Sequence, residues 1–260
     1  MREFAGVLWD LDGVLIDSSR AVVGLWRRIA AGYGRWPDPA AIRRDVLGCA
    51  PEHTVATLFG DLPEADRQDV LRQVREAEPA LDFVAVPGAV ALVSALRDAG
   101  LPMALVTGAS DRRARRVVRE LGLAGAFTAT VTWGETPRGK PAPDCYRLGA
   151  ERLGLDPADC LVVEDSPGGV RAATAAGAAS VAVGEEEGLT AAGATWTAPA
   201  VAALRVAPVP GGVRLDVAGT AAVLLRAAPP APPGPVVPPS PGSAPGRGLH
   251  PASTLPGVRR

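Results

Sequence analysis

From residue 83 to residue 198 the chain alternates short apolar runs with stretches of helical spacing. A helix over 88–99 closes at Gly100, and a strand over 103–106 runs into Thr107-Gly108-Ala109-Ser110. A helix over 111–121 closes at Gly122; glycine readily takes the left-handed turn that ends a helix. A strand over 129–132 leads to the segment around Lys140, followed by a helix over 144–153. A strand over 161–163 meets Glu164-Asp165-Ser166-Pro167-Gly168-Gly169, and a helix over 169–176 and a strand over 180–183 follow. Strands that alternate with helices are joined by crossovers rather than hairpins. The fold class expected is therefore α/β, a doubly wound parallel sheet.

One more strand precedes this series. Val7-Leu8-Trp9 is apolar and stops at Asp10-Leu11-Asp12-Gly13. A short apolar run bounded by a turn signal suits a buried parallel strand. Ligands of open α/β sheets gather at the carboxyl ends of the strands, so Asp10 and Asp12 leave the core at a functional edge. Two like charges that close are costly unless a cation, usually Mg²⁺, shares them. Gly13 permits a backbone path that a Cβ would resist.

The cations carry a second signal. Of 27 Lys+Arg, 26 are arginine, and the one lysine is Lys140, in Gly-Lys-Pro-Ala-Pro-Asp. Lysine is a compact point charge on a flexible stem, and arginine does not replace it. Pro141 biases Lys140 towards an extended backbone, and Pro143 suits a first helical position. Lys140 is thus expected on a rigid strand-to-helix connection.

Between residues 18 and 82 no strand-like run appears. Ser18 or Ser19 can cap a helix on which Val22, Trp26, Ile29 and Tyr33 keep helical spacing. Further helical pieces fall at 39–47, 51–59 and 64–78, giving an all-helical insert. Beyond Ala198, Val213, Leu215 and Val217 alternate with Arg214 and Asp216, an edge-strand pattern with which Val223-Leu224-Leu225 can pair. The domains expected are a core of residues 1–17 and 83–198, a helical cap of 18–82 and an extension of 199–228. Residues 229–260 hold eleven of the 26 prolines and no acidic residue. That tail is expected to be disordered.

Composition excludes several function classes. A net charge of −1 gives no field that favours nucleic acid or an anionic membrane. No apolar stretch reaches the roughly 20 residues needed to span a bilayer. A strand is expected to begin almost at once, and no signal peptide is expected before it. Three cysteines, an odd number without CxxC spacing, suit a reduced, cytoplasmic setting.

Four strand ends therefore carry chemistry: Asp10/Asp12, Thr107/Gly108, Lys140 and Glu164/Asp165. In a parallel sheet they meet along one edge. Carboxylates from two strands can hold Mg²⁺, Thr107 offers a hydroxyl, and the amides of Gly108 and Ala109 face an anion near a helix N-terminus. Lys140 adds positive charge. Such a set describes phosphoryl transfer to Asp10.

Asp-Leu-Asp-Gly-Val-Leu-Ile-Asp-Ser, Val-Thr-Gly-Ala-Ser, Gly-Lys-Pro-Ala-Pro-Asp and Val-Val-Glu-Asp-Ser-Pro-Gly-Gly-Val follow one another in this order. Together they resemble the four motifs of the haloacid dehalogenase (HAD) superfamily. The helical insert resembles its subfamily I cap, and the spacing resembles sugar-phosphate and glycerol-phosphate phosphatases and β-phosphoglucomutase. The resemblance implies a Rossmann-like core and Asp10 as a nucleophile that becomes an aspartyl phosphate. It implies that Asp12 protonates the leaving oxygen and then activates water. Thr107, Gly108, Ala109 and Lys140 would hold the phosphoryl group. Mg²⁺ would be held by Asp10, Asp12 and Asp165, with Glu164 assisting or orienting.

The expected function is a Mg²⁺-dependent phosphatase of a small phosphorylated metabolite, a sugar or polyol phosphate, in a monomer or small homo-oligomer. The rivals are a phosphosugar mutase and a non-catalytic phosphometabolite-binding protein. Mutase-like relatives carry a basic residue and a histidine on the cap, and many sugar phosphatases an arginine. Val22, Leu47 and Pro51 align there, which weakens the mutase reading. Asp12 argues against carbon–halogen chemistry, because dehalogenases of this superfamily lack it. His53 is expected to be structural and Cys49 a small filler. Arg112, Arg113, Arg115, Arg116 and Arg119 are expected to be solvated, with Val117, Val118 and Leu121 forming that helix's apolar face. Trp26 and Trp36 are expected in the cap core, Glu185–Glu187 in a wet loop, and Asp17 bonded to the turn after Gly13.

Overall fold

The computed structural model describes residues 2–184 and 188–226. The expectations for the 229–260 tail and for Glu185–Glu187 lie outside the described residues. In chain order the elements begin with β1 (Arg2–Phe4), β2 (Gly6–Trp9) and β3 (Ile16–Asp17). Four helices follow: α1 (Ser19–Gly32), α2 (Pro39–Asp45), α3 (Pro51–Leu58) and α4 (Glu64–Ala77). Then come β4 (Val84–Ala85), α5 (Ala89–Asp98), β5 (Met103–Val106), α6 (Asp111–Glu120), β6 (Ala129–Val131) and α7 (Asp144–Arg152). The chain continues with β7 (Cys160–Glu164), α8 (Pro167–Ala176), β8 (Ala179–Val183) and β9 (Trp196–Ala198). It ends with β10 (Leu204–Val209), β11 (Gly212–Val217) and β12 (Ala221–Leu225).

Six strands form one parallel sheet in the order β6-β5-β2-β7-β8-β9. Pleating sends alternate side chains to opposite faces. Val7, Trp9, Met103, Leu105, Leu161 and Val163 pack on one face with α5 and α6. Leu8, Ala104, Val106, Cys160 and Val162 pack on the other with α7 and α8. Gly149 of α7 allows the close approach there, since a Cβ would lie 2.8 Å from Val106 Cγ2. The register fixes where the strands stop: Trp9 pairs with Leu105 on one side and with Val163 on the other. Residues 10, 106 and 164 therefore lie side by side, and Thr107 follows one residue on at the same edge.

The helices α1–α4 bury their own cluster around Trp26, Ile29, Val55, Phe59, Val70 and Val74. A two-stranded antiparallel ribbon, β3 with β4, ties together the chain entering and leaving this insert. Trp36 departs from the expectation: it is 79 % exposed, because it lies between α1 and α2, outside both helical stripes. Among the described residues, no helix is long and apolar enough to cross a membrane.

The alternating segment at 213–217 is not an edge strand. It is an inner strand of a second sheet, ordered β1-β12-β11-β10. β11 pairs antiparallel with both β10 and β12, and β12 pairs parallel with β1. The sequence pattern gave no hint of β10 because Pro208 interrupts it; a proline is tolerated on the edge that β10 forms. Leu204, Val213, Leu215, Val217, Val223 and Leu225 join the core face of α5 and α6.

Candidate active site

Lys140 decides the geometry. It lies on the β6–α7 connection, its peptide bond to Pro141 is cis, and its side chain is buried. Its Nζ donates to Asp10 Oδ1, to Glu164 Oε1 at 2.7 Å and to the Val106 carbonyl at 3.3 Å. The Tyr146 ring centroid lies 5.0 Å from Nζ. Burial alone would lower the Lys140 pKa, but the Asp10 and Glu164 carboxylates outweigh it and hold it well above the usual lysine range. The ammonium stays charged inside the protein.

Glu164 ends β7 fully buried, and its oxygens are taken up by donors. Oε1 accepts from Lys140 and from the Tyr146 hydroxyl at 2.8 Å. Oε2 accepts from the Asp165 and Ser166 amides at 2.9 and 3.0 Å and from the Ser166 hydroxyl at 3.1 Å. Burial pushes its carboxyl up, but Lys140 and these hydrogen bonds win and its pKa falls below the usual range. Gly169 makes room for the arrangement: a Cβ there would lie 1.6 Å from Glu164 Oε1.

Asp10, Glu164 and Asp165 each present a carboxylate oxygen within 4.8 Å of the others. Burial pushes Asp10 up to about 7; Lys140 pulls it down, and Glu164 and Asp12 push it up. Asp165 is held well above the carboxylate range by burial, then by Glu164 and Asp10. Three acids beside one ammonium cannot all ionise without a further cation. An all-oxygen donor set with that need fits a hard divalent cation such as Mg²⁺. With Glu164 saturated, Asp10 and Asp165 are the carboxylates with oxygens to spare. Gly13 takes φ +84°, and a Cβ on it would fall 1.8 Å from Asp165 Oδ2. Only glycine lets Asp165 approach this turn.

Thr107 is buried, and its Oγ1 accepts the Ala109 amide at 3.0 Å. Its proton is free for an anion, but the Ala109 amide is engaged, against expectation. Among the described residues the Gly108 amide has no backbone partner. Ser110 caps α6 by accepting from the Arg113 amide, and Ser166 caps α8 by accepting from Gly169.

Asp12 faces the same cavity but turns towards α6. Arg113 Nη2 donates to its Oδ1 at 2.8 Å and Nη1 to its Oδ2 at 3.1 Å, and the Ser18 hydroxyl also donates to Oδ1. Arg113 is 2 % exposed and also lies 3.5 Å from Glu78 Oε1. The expectation of five solvated arginines is corrected here: Arg112, Arg115 and Arg119 are exposed, but Arg113 is buried. Arg116 is half-buried and donates to the Pro79 and Leu81 carbonyls. Spacing held the signal, because Arg113 stands four residues before Val117, on that helix's apolar face. Asp17 accepts from the Ser19 amide at 3.0 Å and so supports the start of α1, rather than bonding the turn after Gly13.

A cavity of about 650 Å³ opens above Asp10. Val22, Leu47 and Pro51 line it, as do Cys49 and the buried Trp26. His53 also lines it, with Nε2 3.6 Å from Asp45 Oδ1. Trp133 closes one side; its Nε1 donates to Glu52 Oε1 at 2.6 Å. Tyr146 and this tryptophan–glutamate pair were not foreseen, because their partners are distant in sequence.

Residues 4–177 match the family model described as haloacid dehalogenase-like hydrolase. Hexitol phosphatase A of Escherichia coli is 38 % identical over 192 residues, covering 68 % of this chain and 82 % of that protein. Fructose-1-phosphate phosphatase YqaB of E. coli is 33 % identical, covering 70 % of this chain and 97 % of that protein. Among solved structures, β-phosphoglucomutase from Clostridium difficile superposes with a TM-score of 0.66 at 21 % identity. It covers 78 % of this chain and 93 % of that one, a likeness of fold.

Proposed function

This chain belongs to the haloacid dehalogenase-like hydrolases, and from that premise we propose that it is a Mg²⁺-dependent phosphatase of a small phosphorylated sugar or polyol. The observation that carries the reading is the buried ammonium of Lys140 between Asp10 and Glu164, with Asp165 beside them. Helices α1–α4 act as a cap over a core of residues 1–17 and 83–198. Three free cysteines suit a reducing, cytoplasmic setting.

Asp10 is the nucleophile. Lys140 occupies one of its oxygens, which leaves the other to attack phosphorus as the bond to the leaving alcohol breaks. Thr107, the Gly108 amide and Lys140 hold the phosphoryl oxygens, where charge builds in the transition state. Asp12 gives its proton to the leaving oxygen. It then takes one from the water that attacks the aspartyl phosphate, which frees phosphate and restores Asp10. To do this Asp12 turns from Arg113 and Ser18 towards Asp10. Glu164 orients Lys140 and the loop that carries Asp165. Asp10, Asp165 and the Asp12 carbonyl would hold Mg²⁺, which supplies charge neutralisation at the phosphoryl group. The insert excludes bulk water.

Phosphate release from a panel of metabolite esters, with and without Mg²⁺, tests this. Release is expected only with Mg²⁺, and Asp10→Asn is expected to abolish it while the far-ultraviolet circular dichroism stays unchanged. Turnover that survives Asp10→Asn would remove Asp10 as nucleophile.

A further inference from the structure

The chemistry of the organic portion is written on the cavity walls. Much of the insert side is apolar: Val22, Leu25, Trp26, Val46, Leu47 and Val74 all line it. Trp133 adds an indole from the opposite lip. At about 650 Å³ the space exceeds what a phosphoryl group needs and lies within the usual range for drug-sized ligands.

Charge is the sharper constraint. Among the described residues four side chains lining the cavity can be cationic, and each already faces a carboxylate. Lys140 faces Asp10 and Glu164. Arg113 faces Asp12 and Glu78. Arg138 lies 2.8 Å from Asp144, and His53 lies 3.6 Å from Asp45. Glu52 also lines the cavity, and the hydrogen bond it accepts comes from the neutral indole of Trp133. The phosphoryl group claims Lys140. A second anionic group on the substrate would find no spare cation, and would be desolvated beside Glu52 and Glu78. Desolvating an unpaired charge is costly, and like charges reject a ligand more effectively than a missing contact does.

We propose that this cavity selects phosphomonoesters of uncharged alcohols that present an apolar face, a sugar ring's C–H face or a flat ring. Esters carrying a second anionic group are rejected. The inference rests on the phosphatase reading above and narrows its substrate class.

Two isosteric pairs test it. One is 4-carbamoylphenyl phosphate against 4-carboxyphenyl phosphate; the other is glucose 1-phosphate against glucuronic acid 1-phosphate. Within each pair kcat/KM is expected to favour the neutral ester by about tenfold, mostly through KM. Leu47→Arg, which sets a guanidinium on the wall, is expected to narrow the ratio about fivefold. Equal or inverted ratios, with turnover that requires Asp10, would overturn this inference and leave the phosphatase reading standing. An active Leu47→Arg variant with an unchanged ratio would overturn it too. Failure to hydrolyse any of the four esters with Mg²⁺, or turnover that survives Asp10→Asn, would overturn the phosphatase reading and this inference with it.

Discussion

Arg113 joins an acid of the proposed reaction to the end of the helical insert. It grips both oxygens of Asp12 and reaches Glu78, and the Glu78 carboxylate also accepts from the Ser110 amide and hydroxyl. Arg113→Met leaves Glu78 buried without its cation. We expect it to lower the unfolding free energy by about 2–3 kcal/mol, less than a fully buried pair because Asp12 is about a third exposed. Urea titration measures the loss, and Arg113→Lys should restore only part of it, since a point charge cannot grip two oxygens at once. Cys49 gives a second test at this scale. Burial, then the nearby Asp45, push its thiol up to about 11. A raised thiol pKa means the neutral form persists through neutral pH. At pH 8 about a thousandth is thiolate, and alkylation by iodoacetamide should accelerate tenfold per pH unit until close to pH 11. Fast labelling at pH 8 would contradict the burial. Asp10, Thr107 and Asp165 were legible in the sequence because each stands directly after a strand, where backbone geometry fixes its direction. Lys140, on the long β6–α7 connection, was legible instead as the one lysine among 27 Lys+Arg. Tyr146 and Glu52 meet partners 18 and 81 residues away, and no local rule announces such contacts.

At the scale of elements, the insert is fastened to the sheet edge by a few side chains. Trp133 donates to Glu52, and Arg75 lies over its ring at 5.0 Å from the centroid. Arg116 binds the carbonyls of the chain that returns from the insert and lies over the Phe83 ring. Gly48, at φ +70°, lays the loop before α3 against Ser166; a Cβ there would come within 2.4 Å of its hydroxyl oxygen. Trp133→Phe keeps the aromatic wall and removes the hydrogen bond, leaving Glu52 unpaired. That is worth about 1 kcal/mol. If the insert opens and closes in each cycle, the loss falls on the closed state. KM should rise about fivefold with little change in thermal midpoint, as initial-rate kinetics and calorimetry would show. The long helices and the parallel strands could be read from sequence because period and punctuation agree over many residues. The ribbon of β3 and β4, two residues from each strand, was too short for any period, and β10 was hidden by its proline.

For the whole molecule, the second sheet matters most. The family match ends at residue 177, yet six buried side chains from β10–β12 complete the core face of α5 and α6. Each such side chain contributes about 1.5–3 kcal/mol, and a domain's total stability is about 5–15 kcal/mol. A chain cut after Ala198 should therefore lose cooperative unfolding, bind a hydrophobic dye and precipitate; a cooperative melt from it would show the second sheet to be dispensable. That sheet also joins residues separated by almost the whole described chain, Arg2–Phe4 with Val223–Leu225. Ribosomes release the amino end first, at about 5–20 residues per second. During translation Phe4 must wait, its backbone unpartnered, for some ten seconds or more until residue 225 is free. Nascent chains of this protein are thus exposed to chaperones and to one another for most of their synthesis.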